Sequence, residues 1–190
     1  LFNTLEGPGV LVAPVEGVFA AGRSARIDGL TITGSDQSAA VLVNGYAHYL
    51  EIGNNVITSN QGPAASGIRV GHPTLLTATG EAESGHNDNV YIHNNLVAQN
   101  GGLVEPGAGI GLYTGSDGYR VVENFISGNY AVFDGAGIAH YGLSPGGLIA
   151  DNDIVFNQGF DQTVGGGGNA GGLLIAGHEP EIGGAITQSP

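Results

Sequence analysis

An all-β fold, a right-handed parallel β-helix wound as a three-sided solenoid of about five to six coils, is the class this sequence predicts. Three observations predict it. A nine-residue unit recurs in register along the chain. Each unit is followed by a short apolar strand, usually led by glycine. Glycine, 36 of 190 residues, sits beside Val, Ile and Leu and lacks the three-residue period of collagen.

The units read Ile52-Gly-Asn-Asn-Val-Ile57-Thr-Ser-Asn60, Ile92-His-Asn-Asn-Leu-Val97-Ala-Gln-Asn100, Val121-Val-Glu-Asn-Phe-Ile126-Ser-Gly-Asn129 and Ile149-Ala-Asp-Asn-Asp-Ile154-Val-Phe-Asn157. Two aliphatic residues stand five apart, with Asn two before the second and Asn three after it. Ile27-Asp-Gly-Leu-Thr-Ile32 keeps the aliphatic pair without the asparagines. The closing strands are Val41-Leu-Val43, Gly67-Ile-Arg-Val70, Gly109-Ile-Gly-Leu112, Gly137-Ile-Ala-His140 and Gly172-Leu-Leu-Ile175.

Strands this short are not stable alone. Asn and Gly mark the bends because both tolerate the left-handed backbone region. Wound as coils, the strands pair in parallel at about 4.8 Å and the aliphatics stack into shared interior columns. Asn55, Asn95, Asn124 and Asn152 then form one line at a bend, and Asn60, Asn100, Asn129 and Asn157 a second. Stacked amides bond along such lines, giving buried polar groups the partners they need.

From one unit's first aliphatic to the next the spacing is 25, 40, 29 and 28 residues. Coils of 25 to 29 suit three sides, and the 40 marks an insertion over 71–88. A second excursion covers 158–171. Residues 1–190 are read as a single segment: a partial first coil over 1–24, repeat coils over 25–177, and a tail or start of a further coil over 178–190. No capping helix is apparent, so the segment is expected to belong to a longer protein or to stack end to end.

The Asn-Asn-x-Ile-x-x-Asn units with their Gly-Ile strands resemble right-handed parallel β-helix repeats of the pectin-lyase-like superfamily, over about residues 25–177. The resemblance implies the fold and leaves activity open, since such repeats occur in lyases, hydrolases, tailspikes, adhesins and passive stalks. The segments His140-Tyr-Gly-Leu-Ser144 and Gly111-Leu-Tyr-Thr-Gly-Ser116 are also similar to those of very large bacterial secreted proteins, some multicopper-oxidase-like. An accessory region of such a protein is therefore one reading, although the chain has neither Cys nor Met for a type 1 copper centre.

Charge narrows the partners. Seventeen acids face four arginines and no lysine, a net −13. A nucleic-acid groove needs clustered cations that are lacking here, so no nucleic-acid partner is expected. No apolar run approaches the roughly 18 residues of a membrane helix, and no membrane insertion is expected. The absence of cysteine excludes thiol chemistry and zinc–thiolate sites.

Candidate chemistry is sparse. Lyases that act on polyuronates combine an acidic calcium cluster with Lys and Arg; here only Arg69 and Arg120 lie in repeat strands. Arg69 is expected to point outward between Ile68 and Val70. A glycosidase needs two carboxylates, and Glu123 and Asp151 hold equivalent positions in successive coils, about 5 Å apart if stacked. The plainer reading makes them solvated turn acids. The inserted loop brings together His72, Glu81, Glu83, His86 and Asp88; His72, His86 and Asp88 are the metal candidates, against a plain solvated excursion. None of the six histidines, His48, His72, His86, His93, His140 and His178, pairs at i, i+4.

No cofactor is expected, a structural calcium at Asn87-Asp-Asn89 or Asp151-Asn-Asp153 being the one addition considered. Gly166-Gly-Gly-Asn-Ala-Gly171 satisfies a dinucleotide-binding pattern but opens no helix. Tyr113, Tyr119, Tyr130, Phe133 and Tyr141 cluster in the middle coils, as a sugar platform or as core and bend fillers. The expectation is a non-catalytic structural, stalk or adhesive module of an exported protein, extracellular or on the cell surface. Its expected partners are other segments of the same protein, a second copy at the coil ends, or glycans. The alternative is a glycoside hydrolase or lyase acting on a neutral or weakly charged polysaccharide, with Glu123 and Asp151 as its carboxylates.

Overall fold

The computed structural model describes residues 7–73, 75, 83–103, 106–132, 134–160 and 170–177. Every ladder between its strands is parallel, and the strands fall into four sheets. Sheet A holds β1 (Val10–Val12), β4 (Val41–Val43), β8 (Ile68–Val70), β12 (Ile110–Leu112), β16 (Ile138–Tyr141) and β20 (Leu173–Ala176). Sheet B holds β2 (Arg26–Asp28), β5 (Glu51–Gly53), β9 (Tyr91–His93), β13 (Arg120–Val122) and β17 (Leu148–Ala150). Sheet C holds β3 (Thr31–Ile32), β6 (Val56–Thr58), β10 (Leu96–Ala98), β14 (Phe125–Ser127) and β18 (Asp153–Val155). Sheet D is a ladder of two-residue strands, β7 (Gln61–Gly62), β11 (Gly101–Gly102), β15 (Tyr130–Ala131) and β19 (Gln158–Gly159).

From β2 onward the chain visits B, C, D and A in turn, the first coil without a strand in D, so five coils stack as a parallel β-helix. The short fourth ladder is the part of the coil that the repeat did not reveal.

Register follows the repeat. Ile27, Ile52, Ile92, Val121 and Ile149 stack in one inward column. Ile32, Ile57, Val97, Ile126 and Ile154 form the next. The central members of both are fully buried. At about 1.5 to 3 kcal/mol for each buried aliphatic, this shared core offsets the entropy of ordering many short strands. Phe19 packs against the core cluster near the first coil. Farther along, the inward Ile175 is 65% exposed.

Glycine leads the strands of sheet A because coils touch there backbone to backbone. A Cβ on Gly67 would run into the Gly109 carbonyl oxygen, one on Gly109 into that of Gly137, and one on Gly137 into that of Gly172.

Sheet A is also covered outside, which adds burial to the outward direction expected for Arg69. Its side chain does leave the outer face, in register with Leu42 and Gly111. Yet it is 1% exposed, because the connectors from sheet D fold back over this face. Ala65 reaches the space above Gly111, and Tyr113 covers it from the side. Alternation fixes the direction of a side chain, and what lies over the sheet decides its burial.

Candidate functional site

The corner between sheets B and C carries the sharpest sequence candidates. Its residues in successive coils are Gly29, Asn54, Asn94, Glu123 and Asp151, all with positive φ, 68°, 56°, 51°, 55° and 53°. This is the turn that Gly and Asn adopt readily and that a glutamate adopts at a cost. Glu123 and Asp151 do occupy equivalent places, both exposed, on the convex edge where the chain turns around its core. Glu123 Oε2 accepts a hydrogen bond from Asn94 Nδ2 at 3.2 Å. Both carboxylates are exposed at this corner.

Directly behind each corner residue stands a ladder amide. Asn55 Nδ2 donates to Asn95 Oδ1 at 3.0 Å, Asn95 Nδ2 to Asn124 Oδ1 at 2.9 Å, and Asn124 Nδ2 to Asn152 Oδ1 at 2.9 Å. The same oxygens accept the backbone N–H of the preceding asparagine, at 3.0 Å in each case. Asn60, Asn100, Asn129 and Asn157 repeat the pattern at the corner between C and D, each side-chain bond 2.9 Å long. Leu30 N and Ser35 N, with no amide of their own, donate to Asn55 and Asn60.

Sheet B's outer surface holds a polar network that sequence reasoning missed. His93 Nε2 lies 2.7 Å from Glu51 Oε1, and its Nδ1 2.8 Å from Asn94 Oδ1. Arg26 Nε reaches the same Glu51 oxygen at 3.3 Å. Tyr91 stacks on His93 with centroids 4.2 Å apart, and Arg120 lies over Tyr91, 5.3 Å from its centroid. Gly53 makes room for the imidazole, since a Cβ there would stand 2.6 Å from His93 Nε2. Both ring nitrogens of His93 are thus spent on neighbouring side chains. The signal was available: Glu51, Tyr91 and Arg120 share one place in the repeat.

The histidines and acids of the third turn, between sheets A and B, make pairs. His48 Nδ1 lies 3.0 Å from Asp88 Oδ2, and His86 stacks on Tyr46 at 5.1 Å. Burial and the neighbouring Asp88 push the Asp117 carboxyl up, with His86 opposing. Asn87 Oδ1 accepts from Ala47 N, and Ser144 Oγ from Ser116 N, so this turn has a polar column too.

His72 lies apart from these pairs, inside the edge of sheet A, where burial and the Arg69 charge pull it down to about 4. The three metal candidates are thus a stacked ring, a paired carboxylate and a half-buried imidazole. Among the described residues no three His, Asp or Glu side chains are grouped to hold a metal ion. The two turns considered for calcium already spend Asn87, Asp88 and Asn152 on bonds between coils. Glu81, His178 and most of the Gly166-to-Gly171 run lie outside the described residues.

The aromatic cluster divides. Tyr113 is fully buried, and its hydroxyl donates to the Pro106 carbonyl at 2.7 Å. Tyr119 lies in the core, donating to His140 Nδ1 at 2.6 Å, while His140 Nε2 donates to the Gly142 carbonyl. Burial pushes Tyr119 up to about 12 and His140 down. Tyr130 lies on the surface, over Gly101, and Phe133 is outside the described residues.

No protein-family model matches the chain, and neither a curated protein nor a solved structure does. The fold alone therefore defines the class, a parallel β-solenoid with paired asparagine ladders.

Proposed function

We propose that the chain is a non-catalytic, structural or adhesive β-helix module of an exported protein, working outside the cell or at its surface. The observation that carries this reading is the use to which its polar side chains are put. The residues that a catalytic site would recruit, Glu51, His93, Asn94 and Glu123, bond to one another from coil to coil and hold the stack in register. The ladder amides do the same inside. A strongly negative surface keeps such exposed edges soluble. Partners in this reading are further coils of the same protein, or a second copy, together with glycans.

A hydrolysis screen tests it. The purified chain is incubated with neutral and acidic polysaccharides beside a double variant, Glu123→Gln with Asp151→Asn, and new reducing ends are measured. The expected result is no cleavage by either. Cleavage by the parent that the double variant loses would overturn the proposal in favour of a glycoside hydrolase.

A further inference from the structure

We propose that the outward surface of sheets C and D, from coil two to the Phe156 corner of coil five, is a binding face for an uncharged polysaccharide. The inference rests on the adhesive reading above and names its ligand class and surface.

Charge is distributed unevenly over the coil. Sheet B and the third turn display Arg26, Glu51, Asp88, Asp117 and Arg120. On the outward positions of sheets C and D and the corner between them, coils two to four carry no charged side chain. Asp36 and Asp153 stand only at the two ends of this face. In a −13 chain, such a gap marks a surface meant for contact, since interface centres are depleted of charge.

What fills the gap is apolar and flat. Val56, Leu96 and Phe125 form one outward column in exact parallel register, all exposed. Beside it run Thr58, Ala98 and Ser127. On sheet D the Tyr130 ring lies over Gly101, its hydroxyl 3.2 Å from Gln61 Nε2 two coils away. The Phe160 ring follows, its plane only 16° from that of Tyr130 and its centroid 6.4 Å off.

Phe156 supplies an independent observation. It is 86% exposed and held at φ 57°, at a corner where the other coils place Gly34, Ser59, Gln99 and Gly128. A bulky aromatic in that conformation is strained, and one so exposed adds little to the core. Its ring therefore adds exposed apolar surface at the end of this face.

The chemistry selects the occupant. Ring faces beside amides and hydroxyls suit the C–H faces and hydroxyl groups of a sugar chain. The coil repeat of about 4.8 Å is close to the length of one pyranose, so an extended glycan along the axis meets similar groups on each rung. A polyanion is repelled by the chain as a whole, and an anionic lipid surface finds no cation here.

Affinity electrophoresis of the whole chain through gels containing xylan, β-1,3-glucan or amylose tests the proposal, with polygalacturonate as the charged comparator. The expected result is retardation by at least one neutral glycan. The double variant Phe125→Thr, Phe156→Asn should weaken that binding by about tenfold or more, as the loss of ring stacking implies. Arg120→Ala, on sheet B, should bind as the parent does, and melting curves verify that both variants are folded. Passage through all three neutral gels unretarded, equal retardation of parent and double variant, or retardation by polygalacturonate alone would overturn the proposal. Those outcomes leave the scaffold reading standing, whereas release of reducing ends would overturn the scaffold reading instead.

Discussion

Asn94 and Asn95 are neighbours of the same type, yet replacing each by alanine should have very different effects. Asn95 is 2% exposed. Its Oδ1 accepts Asn55 N and Asn55 Nδ2, both at 3.0 Å, and its Nδ2 donates to Ile52 O, His93 O and Asn124 Oδ1, all at 2.9 Å. Alanine leaves the buried Asn55 N–H without an acceptor, at about 1 to 3 kcal/mol, and removes the two amide-to-amide bonds, from Asn55 Nδ2 and to Asn124 Oδ1, worth about 1 kcal/mol each net. The sum is about 3 to 5 kcal/mol. For a chain of this size that lowers the melting midpoint by about 6 to 20 °C.

Asn94 lies at the exposed corner with φ 51° and bonds to His93 and Glu123. Its loss should cost about 1 kcal/mol. Asn95→Asp sharpens the test. A carboxylate there accepts from Asn55 but faces three oxygens that Nδ2 had satisfied, so its folded-state pKa rises above the unfolded value. The folded variant then binds the extra proton, and its deficit against the parent shrinks as pH falls through that raised pKa. Thermal and urea melts of the three variants supply the comparison. Equal midpoints for Asn94→Ala and Asn95→Ala, or a deficit for Asn95→Asp that grows on acidification, would refute the reasoning.

Three further outcomes are expected. His72, held near 4 when folded and 6.5 when unfolded, is protonated first in the unfolded chain. Stability should therefore be full above about pH 6.5 and fall toward pH 4 by about 2 to 3 kcal/mol, a slope that His72→Gln should flatten in urea titrations. Gly109→Ala places a Cβ against the Gly137 carbonyl oxygen, which is backbone and cannot swing aside; destabilisation of about 2 to 4 kcal/mol should appear in denaturant melts. Phe156→Asn relieves a left-handed aromatic that packs little and should raise stability by about 1 kcal/mol, read as a higher melting midpoint.

How much of this was legible depended on whether a feature must recur in every coil. The asparagines recur because each ladder amide needs another above and below it, so Asn55, Asn95, Asn124 and Asn152 could be placed from spacing. The aliphatic columns recur for the same reason. Sheet D did not show, because Gln61-Gly62, Gly101-Gly102 and Tyr130-Ala131 share no apolar pattern; backbone bonds hold that ladder.

Arg69 was placed on the correct side of its strand, but its burial was not legible, since connectors distant in the repeat cover it. Glu123 and Asp151 were correctly aligned, but spacing carries no information about the convexity of a corner. Phe156 was invisible as a signal because strain is a property of the backbone, and Phe is an ordinary residue in a β-rich sequence.

The ladders have a direction, and it bears on how the molecule comes into being. Every bridging amide oxygen receives its hydrogens from the coil before it, so a coil's corner N–H groups are satisfied only when the next coil arrives. That arrival lies 25, 40, 29 and 28 residues downstream at successive rungs. A chain emerging from its N-terminus therefore carries one open rung at its leading edge, and each later segment both closes that rung and opens another. The donors of each coil wait on the acceptors of the next, so both asparagine ladders run in the same sense along the axis.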